Sequence, residues 1–424
     1  MKVRWPQEGL NFLSVDRPTG LSRSEKQAAG VVDDSRKVVP EVCKQKLPVV
    51  FVFDRVMHYH RATLSAIEAR LGSLGIEFCV ISSKDAPGAT GRVAEAANSV
   101  RNHGVFELRE HNVSGFMLRR QLGLLLALKR LNPAVIVSAA HSGTLTEWQA
   151  LLWARRNGVR RVAWQSGYEY NEGALKSIVL SQFVPLFNFH LCYHTNAQRY
   201  ALRHGARANQ TLVMHNTIDE CGIVVGDKQH AKAELVQRFP QLAGKKLILY
   251  VGAVLEEKRL ELAFDALQRL GHSDAMLLIV GDGPHLGVLK RRYADRTDWL
   301  SVGQVIQGVG VYFDAADVFV LPGTGGLAIN EAMAHRLPVI SGYADGSADD
   351  LVIDGVTGFR LREASAEALA DRLREWLASP VRASEMGERA EQRIRGDLSF
   401  RSFIDRVVGV LAQQHAQACA GGDR

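Results

Sequence analysis

The chain has 424 residues, 46% hydrophobic and 23% charged, which is the usage of a folded globular protein and excludes a disordered one. Its length implies about two or three domains, and no apolar run approaches the roughly 18 residues that a membrane span needs. The net charge of +7 suggests an anionic partner, which composition leaves open as nucleic acid, a phosphate-bearing small molecule or a membrane face, beside a plainly solvated surface. The start, MKVRWPQEGL, has no apolar core of a signal peptide. Cys43, Cys79, Cys192, Cys221 and Cys419 are odd in number and form no C-x-x-C pair. They point to a reducing, cytoplasmic setting rather than to a disulfide frame or a zinc site.

Residues 1–47 are polar, with scattered charge and no sustained period, and read as a loosely ordered extension. The apolar run Val49–Phe53 opens the first folded unit. A helical pattern follows over 62–74, a strand over 77–81, a leucine-rich helix over 115–131, a strand over 134–137, a helix over 144–157 and a strand over 159–164. After a junction near 216–221 the same alternation restarts. It runs through a helix at 231–239 stopped by Pro240, a strand Lys246–Val251, a helix at 259–270 and a strand Ala275–Val280. Strands at 299–302 and Val318–Leu321, a helix at 328–335 and a strand at 338–340 complete it. Helices over 365–377 (with Ser365 as N-cap), 382–395 and 400–414 close the chain. Strands separated by helical segments of about 10–15 residues specify parallel sheets with right-handed crossovers. The fold class is therefore α/β, with parallel-sheet domains over 48–218 and 219–398 and a terminal segment 399–424. Such sheets bind ligands beyond the carboxyl ends of their strands, and two of them facing each other leave a cleft.

Three stretches carry chemistry. Over 321–340 a strand ends in the turn Gly323-Thr324-Gly325-Gly326 and a helix starts at Leu327. Glycines allow a close backbone approach, and a helix start offers N–H groups to an anion. Glu331, one turn later, is a carboxylate suited to a diol such as a ribose, or else a solvated surface residue. In the second stretch a strand ends at Val251-Gly252-Ala253, and Lys258 and Arg259 follow. Two cations at an apparent helix start oppose the dipole, which favours a diphosphate-binding role over a basic surface turn. The third, Gly281-Asp282-Gly283-Pro284, is a tight turn after a strand.

Together these stretches resemble the retaining glycosyltransferases of family 4. The resemblance implies the GT-B fold, two Rossmann-like parallel-sheet domains facing a central cleft. It spans 49–414 and is strongest over 247–359. Gly252, Lys258, Gly281-Asp282-Gly283-Pro284, Asp317, Gly326-Leu327, Glu331-Ala332-Met333-Ala334 and Pro338-Val339-Ile340 match the family pattern, as do Asp354-Gly355, Thr357-Gly358-Phe359 and Asn216-Thr217-Ile218-Asp219. The resemblance implies that Lys258 holds the donor diphosphate, the amides of Gly325, Gly326 and Leu327 the sugar and phosphate, and Glu331 the ribose. Gly252 completes the donor site, Arg259 is the candidate substitute for the family arginine that falls on Ala253, and the turn through Gly281 and Gly283 lies near the base. The donor is a nucleotide-sugar and no metal or cofactor is expected. His58, His60 and Arg61 fall in the loop that relatives place near the acceptor. His141 matches the family's histidine after a strand and is the candidate catalytic group of the first domain, against the alternative of an ordinary loop histidine. Trp164-Gln165-Ser166-Gly167 is expected along the cleft.

Three departures stand out. The first Glu of the family's E-x7-E segment falls on Gly323, the Arg of its Gly-Arg on Ala253, and the Gly before Pro-Val-Ile near Arg336. A helix over 118–131, with Arg119, Arg120, Lys129 and Arg130 among leucines, is either a membrane-surface helix or one packed on its sheet. The expectation is a hexosyl transfer to a glycan or lipid-linked acceptor in bacterial surface-polysaccharide assembly, in the cytoplasm or peripherally on the inner membrane face. A sugar-nucleotide epimerase and a silent nucleotide-sugar binder are the alternatives. No basic stripe interleaved with aromatics supports nucleic-acid binding.

Overall fold

A computed structural model describes residues 47–421 except 55, 57–59, 84–101, 114–115, 168–172, 216, 272–273 and 343–345. The N-terminal extension up to residue 46, His58 and Asn216 lie outside the described residues. The first half runs β1 (Val49–Phe53), α1 (His60–Ser73), β2 (Phe78–Ser83), β3 (Asn102–Val113), β4 (Phe116–Leu122), α2 (Leu124–Leu131) and β5 (Val135–Ser138). It continues through α3 (Leu145–Arg156), β6 (Arg160–Gln165), α4 (Ala174–Phe183), β7 (Phe189–Cys192), α5 (Thr195–Arg203) and β8 (Thr211–Val213). These strands form one sheet in the order β4-β3-β2-β1-β5-β6-β7-β8. All neighbours pair in parallel except β3 and β4. The central strand Val49–Phe53 is buried at every position, which is why it reads as an unbroken apolar run.

The second half comprises α6 (Lys228–Arg238), β9 (Lys246–Val251), α7 (Glu261–Leu270), β10 (Ala275–Val280), α8 (Leu286–Arg292), β11 (Trp299–Gly303) and α9 (Gly310–Ala315). Then come β12 (Val318–Leu321), α10 (Ala328–Ala334), β13 (Val339–Ser341), α11 (Ser347–Leu351), β14 (Gly358–Arg360), α12 (Ala366–Ala378) and α13 (Pro380–Arg395). Its sheet order, β11-β10-β9-β12-β13-β14, is that of a doubly wound dinucleotide-type domain. The switch point lies between β9 and β12, so the loops after these two strands face a common crevice. Asp317, a match to the family pattern, is structural. It accepts the Leu247 amide at 2.8 Å and pairs with Lys228 at 2.8 Å, tying α6 to the foot of β9. Ser365 caps α12 as expected, its hydroxyl accepting the Ala368 amide.

The last helix, α14 (Phe400–Gly421), returns to the first sheet. Phe403, Val407 and Leu411 share one core with Val49, Phe51, Leu64 and Trp164. Phe403 is fully buried, its ring 6.1 Å from that of Trp164. Phe403→Ala is expected to destabilise the chain by about 3–5 kcal/mol, read as a lowered denaturant midpoint. A change within 0.5 kcal/mol, the size typical of surface sites, would show that α14 is not part of that core.

The expected helix over 115–131 is corrected. Residues Phe116–Leu122 are an antiparallel edge strand, paired Glu107 to Leu122 through Val113 to Phe116, and only Leu124–Leu131 is helical. Gly123, at a φ of 101°, makes the break between them. Arg119 and Arg120 therefore sit on a strand, and Arg119 is engaged with Asp54 at 3.2 Å rather than facing a membrane.

Candidate functional site

The loop after β9 turns through Gly252 and Ala253, held by the Tyr250 hydroxyl donating to the Ala253 carbonyl at 2.8 Å. It packs backbone to backbone on the loop after β10, where the Val254 amide donates to the Asp282 carbonyl at 2.9 Å. Gly281 has a φ of 145°, and a Cβ there would lie 2.9 Å from the Gly252 carbonyl carbon and closer still to its oxygen, so this crossing requires glycine. Gly283 packs against Val254 in the same way and is not part of the cavity wall.

Lys258 closes a short 3-10 turn, Glu256–Lys258, and Arg259 follows in the left-handed region at a φ of 52°. The expectation that both cations begin a helix is therefore corrected. Helix α7 starts at Glu261, with an acid in its first turn, and the dipole conflict disappears. What singles out Lys258 is its burial. It is only 8% exposed, and its ammonium donates to the Thr324 carbonyl and hydroxyl, both at 3.1 Å, and to the Gly325 carbonyl at 3.2 Å. The lysine thus staples the loop after β9 to the glycine turn after β12, across the switch point. Arg259 is exposed and donates to the Ala364 carbonyl at 3.2 Å, away from the cavity wall.

Between the two domains, within the single unit formed by residues 46–424, lies a cavity of about 480 Å³. The second domain supplies Gly252, Lys258, Gly281, Gly325, Gly326 and Leu327 to its wall. The first supplies His60, Trp164 and Ser166, as well as Tyr193 and His194. His60 stacks on Phe53 with ring centroids 5.2 Å apart, while its neighbour Arg61 is exposed and not in the wall. Trp164 donates its indole N–H to the Tyr193 hydroxyl at 2.6 Å. His194 is buried. Its Nδ1 accepts the Ala197 amide at 3.0 Å, so the neutral ring carries its proton on Nε2. Asn330 donates to the Thr217 hydroxyl at 3.2 Å, joining α10 to the interdomain linker beside the cavity. The sequence reading missed His194, Tyr193 and Asn330, and it took Thr217 only as part of a matching stretch at the domain junction. Their shared signal is position, each lying just past a strand end or at a helix start on the cleft side.

Glu331 is one turn along α10 from Leu327 and is not in the cavity wall. It is half-buried, not a solvated surface residue, and burial raises its carboxyl to a pKa of about 7. His141 stands at the carboxyl end of β5, between the ends of β1 and β6 that feed the cavity, but is exposed and outside the wall. The protein around its ring lowers its pKa, opposed by Asp54 and reinforced by Arg119. Its loop is anchored by Glu147, whose carboxyl accepts the Ser138 hydroxyl at 2.6 Å and the His141 amide at 3.1 Å.

Glu147 is 6% exposed, and burial pushes its pKa up to about 8. The folded state keeps this proton while the unfolded chain releases it near the ordinary value of 4.5. Stability is thus highest below the unfolded pKa and falls as pH rises toward about 8, by about 1.4 kcal/mol per pH unit for the group. Glu331 adds the same slope up to about 7. Urea melts across this window are expected to show that decline, and Glu147→Gln to flatten its upper end. An equal slope in the variant would place the titration elsewhere.

Residues 232–393 match the model of the family described as glycosyl transferases group 1. A GDP-mannose-dependent alpha-mannosyltransferase of Corynebacterium glutamicum is 31% identical over 184 residues, 42% of this chain and 42% of that protein. A GDP-mannose-dependent alpha-(1-6)-phosphatidylinositol monomannoside mannosyltransferase of Mycolicibacterium smegmatis is 28% identical over 202 residues, 43% of this chain and 51% of that one. The chain thus spans about half or less of the length of these curated relatives. The crystal structure of Anabaena Alr3699/HepE in complex with UDP-glucose superposes with a TM-score of 0.66 at 15% identity, over 87% of this chain and all of that one. The chain has the GT-B fold, and the sequence likeness to glycosyl transferases group 1 lies in its C-terminal domain.

Proposed function

We propose that this chain is a retaining glycosyltransferase of the family 4 type, moving a hexose from a nucleotide-sugar to a glycan or lipid-linked acceptor in bacterial surface-polysaccharide assembly. The observation that carries the reading is the buried ammonium of Lys258, placed in the wall of an interdomain cavity at the switch point of a doubly wound sheet. The relatives named as using GDP-mannose and the neighbour solved with UDP-glucose support a nucleotide-sugar as donor.

In this reading Lys258 and the amides of Gly325, Gly326 and Leu327, the last two at a helix start, meet the diphosphate. Gly252 and Gly281 allow the nucleotide close to the backbone, and Glu331 is assigned to the ribose. The bond from the anomeric carbon to the phosphate oxygen breaks, and the acceptor oxygen bonds to that carbon on the same face. The acceptor proton passes to the departing phosphate. The positive charge of Lys258 then does the work of a metal ion, so transfer proceeds without one. His60 faces the acceptor, and His141 orients it from the neighbouring rim.

A panel of UDP-, GDP- and dTDP-sugars with the purified chain tests this. Nucleotide release that depends on an added acceptor and persists in EDTA is expected. An epimeric nucleotide-sugar, or thermal stabilisation without turnover, would overturn it.

A further inference from the structure

Helices α2, α3 and α4 all cover one face of the first sheet, opposite the face that holds α1 and α14. Leu124 and Leu128 of α2 share a core with Ala150 and Ala154 of α3, and Trp148 of α3 lies 4.8 Å from Phe183 of α4. Their outward surface is unlike that of a solvated helix layer. Leu126, Leu145, Leu152, Leu175, Ile178 and Val179 are exposed, Leu175 and Ile178 at 68% and 62%. In α4, Leu175, Ile178 and Val179 fall at i, i+3 and i+4 and form one apolar stripe. The sole carboxylate in the sequences of the three helices is Glu147, and it is buried. The exposed charges they carry are Lys129, Arg130, Arg155 and Arg156, at the ends of α2 and α3. Positive charge is crowded there. Arg161 at the neighbouring strand is pushed down to about 10, first by burial and then by Arg160 and Arg155.

Among the described residues of these three helices every exposed charge is a cation, and with the apolar surface this fits an anionic, partly apolar partner of large area. A second copy of the same face would set cation against cation. We propose that the outer surface of α2, α3 and α4 docks the protein on the anionic face of a lipid bilayer. The leucines and Ile178 enter the headgroup layer, and Lys129, Arg130, Arg155 and Arg156 meet acidic headgroups. The membrane contact is thus a face of three helices rather than the single helix over 118–131 that the sequence left open between a membrane surface and packing on its sheet. Among the described residues no helix is long and apolar enough to cross a membrane, so the contact lies in the interface plane. The inference rests on this surface alone and is independent of the donor reading.

The test is co-sedimentation of the full chain with vesicles of phosphatidylglycerol and phosphatidylcholine in equal parts, against phosphatidylcholine alone. Binding to the anionic vesicles at low salt is expected, weakening as salt rises. Leu175→Asp with Ile178→Asp, and separately Arg155→Glu with Arg156→Glu, are each expected to weaken partitioning by about tenfold or more. The thermal midpoint stays in place in both double variants. Absence of binding at low salt, or binding that survives both double variants, would overturn the proposal. So would a concentration-dependent dimer abolished by Leu175→Asp with Ile178→Asp while vesicle binding persists, since that assigns the face to a second copy. Vesicle binding is read without any sugar donor, so a chain that fails every transfer assay still answers this question.

Discussion

Lys258→Ala is expected to lower kcat/KM for transfer from a nucleotide-sugar by about 100- to 1,000-fold, the range found when one preorganised electrostatic contact to a developing anion is removed. The expectation has two parts. The first is electrostatic: Lys258 brings the positive charge of the cavity wall against the glycine turn, and because its side chain is buried that charge is less screened than one in open water. The second is mechanical. Its ammonium holds the Thr324 carbonyl, the Thr324 hydroxyl and the Gly325 carbonyl at 3.1, 3.1 and 3.2 Å. Removing it leaves acceptors of the turn without that donor, at about 1–3 kcal/mol for each one buried and unsatisfied. Both donor affinity and the thermal midpoint should therefore fall. Lys258→Arg is not expected to rescue either, because a planar fork cannot replace a compact ammonium surrounded by three oxygens at an 8% exposed site. A variant with a lowered midpoint but unchanged donor affinity would leave Lys258 as a staple of the turn alone.

Lys258 was legible in the sequence for a reason that turned out to be wrong in detail. Its apparent conflict with a helix dipole vanishes once the helix starts at Glu261, yet the residue is the buried cation of the site. Strand prediction succeeded where burial is two-sided. Lys246–Val251, Ala275–Val280 and Val318–Leu321 were expected with the bounds that the structure shows, because central parallel strands are continuous apolar runs. It failed at the sheet edge. There the leucines of Phe116–Leu122 run on into those of Leu124–Leu131, and only Gly123 marks the change of period. The first-domain wall was half legible. Trp164 lies near the end of a readable strand and Ser166 just past it, whereas His194 also serves as the cap of α5, a role its sequence neighbourhood does not distinguish from a site role. His141 was chosen from a pattern, and the structure puts it on the correct rim of the sheet but outside the cavity wall.

The position where the resembling family carries its first glutamate is the sharpest case, because the substitution is more than a missing side chain. Gly323 lies directly against the loop of Lys258. A Cβ there would stand 2.5 Å from the Lys258 carbonyl carbon and 2.6 Å from its Cα, and closer still to the Glu257 carbonyl oxygen, which accepts the Thr324 amide at 3.1 Å. All of these obstacles are backbone, so no rotamer relieves them. Gly323→Ala must separate the two loops that Lys258 joins, and its cost is set at or beyond the upper end of the usual 1–3 kcal/mol for overpacking. Gly323→Glu should fare no better, although it restores the family residue. In a donor-binding assay Gly323→Ala is expected to match Lys258→Ala, and the double variant to be scarcely worse than either single one, because both break the same contact. Additive losses would mean that the turn and the lysine act separately. Near-wild-type binding by Gly323→Glu would mean that the loop after β9 moves aside readily and that the space for a carboxylate exists after all. If the crowding holds, any selectivity for the transferred sugar must come from other side chains of the wall, among them Asn330, Ser166, His194 and Asp282.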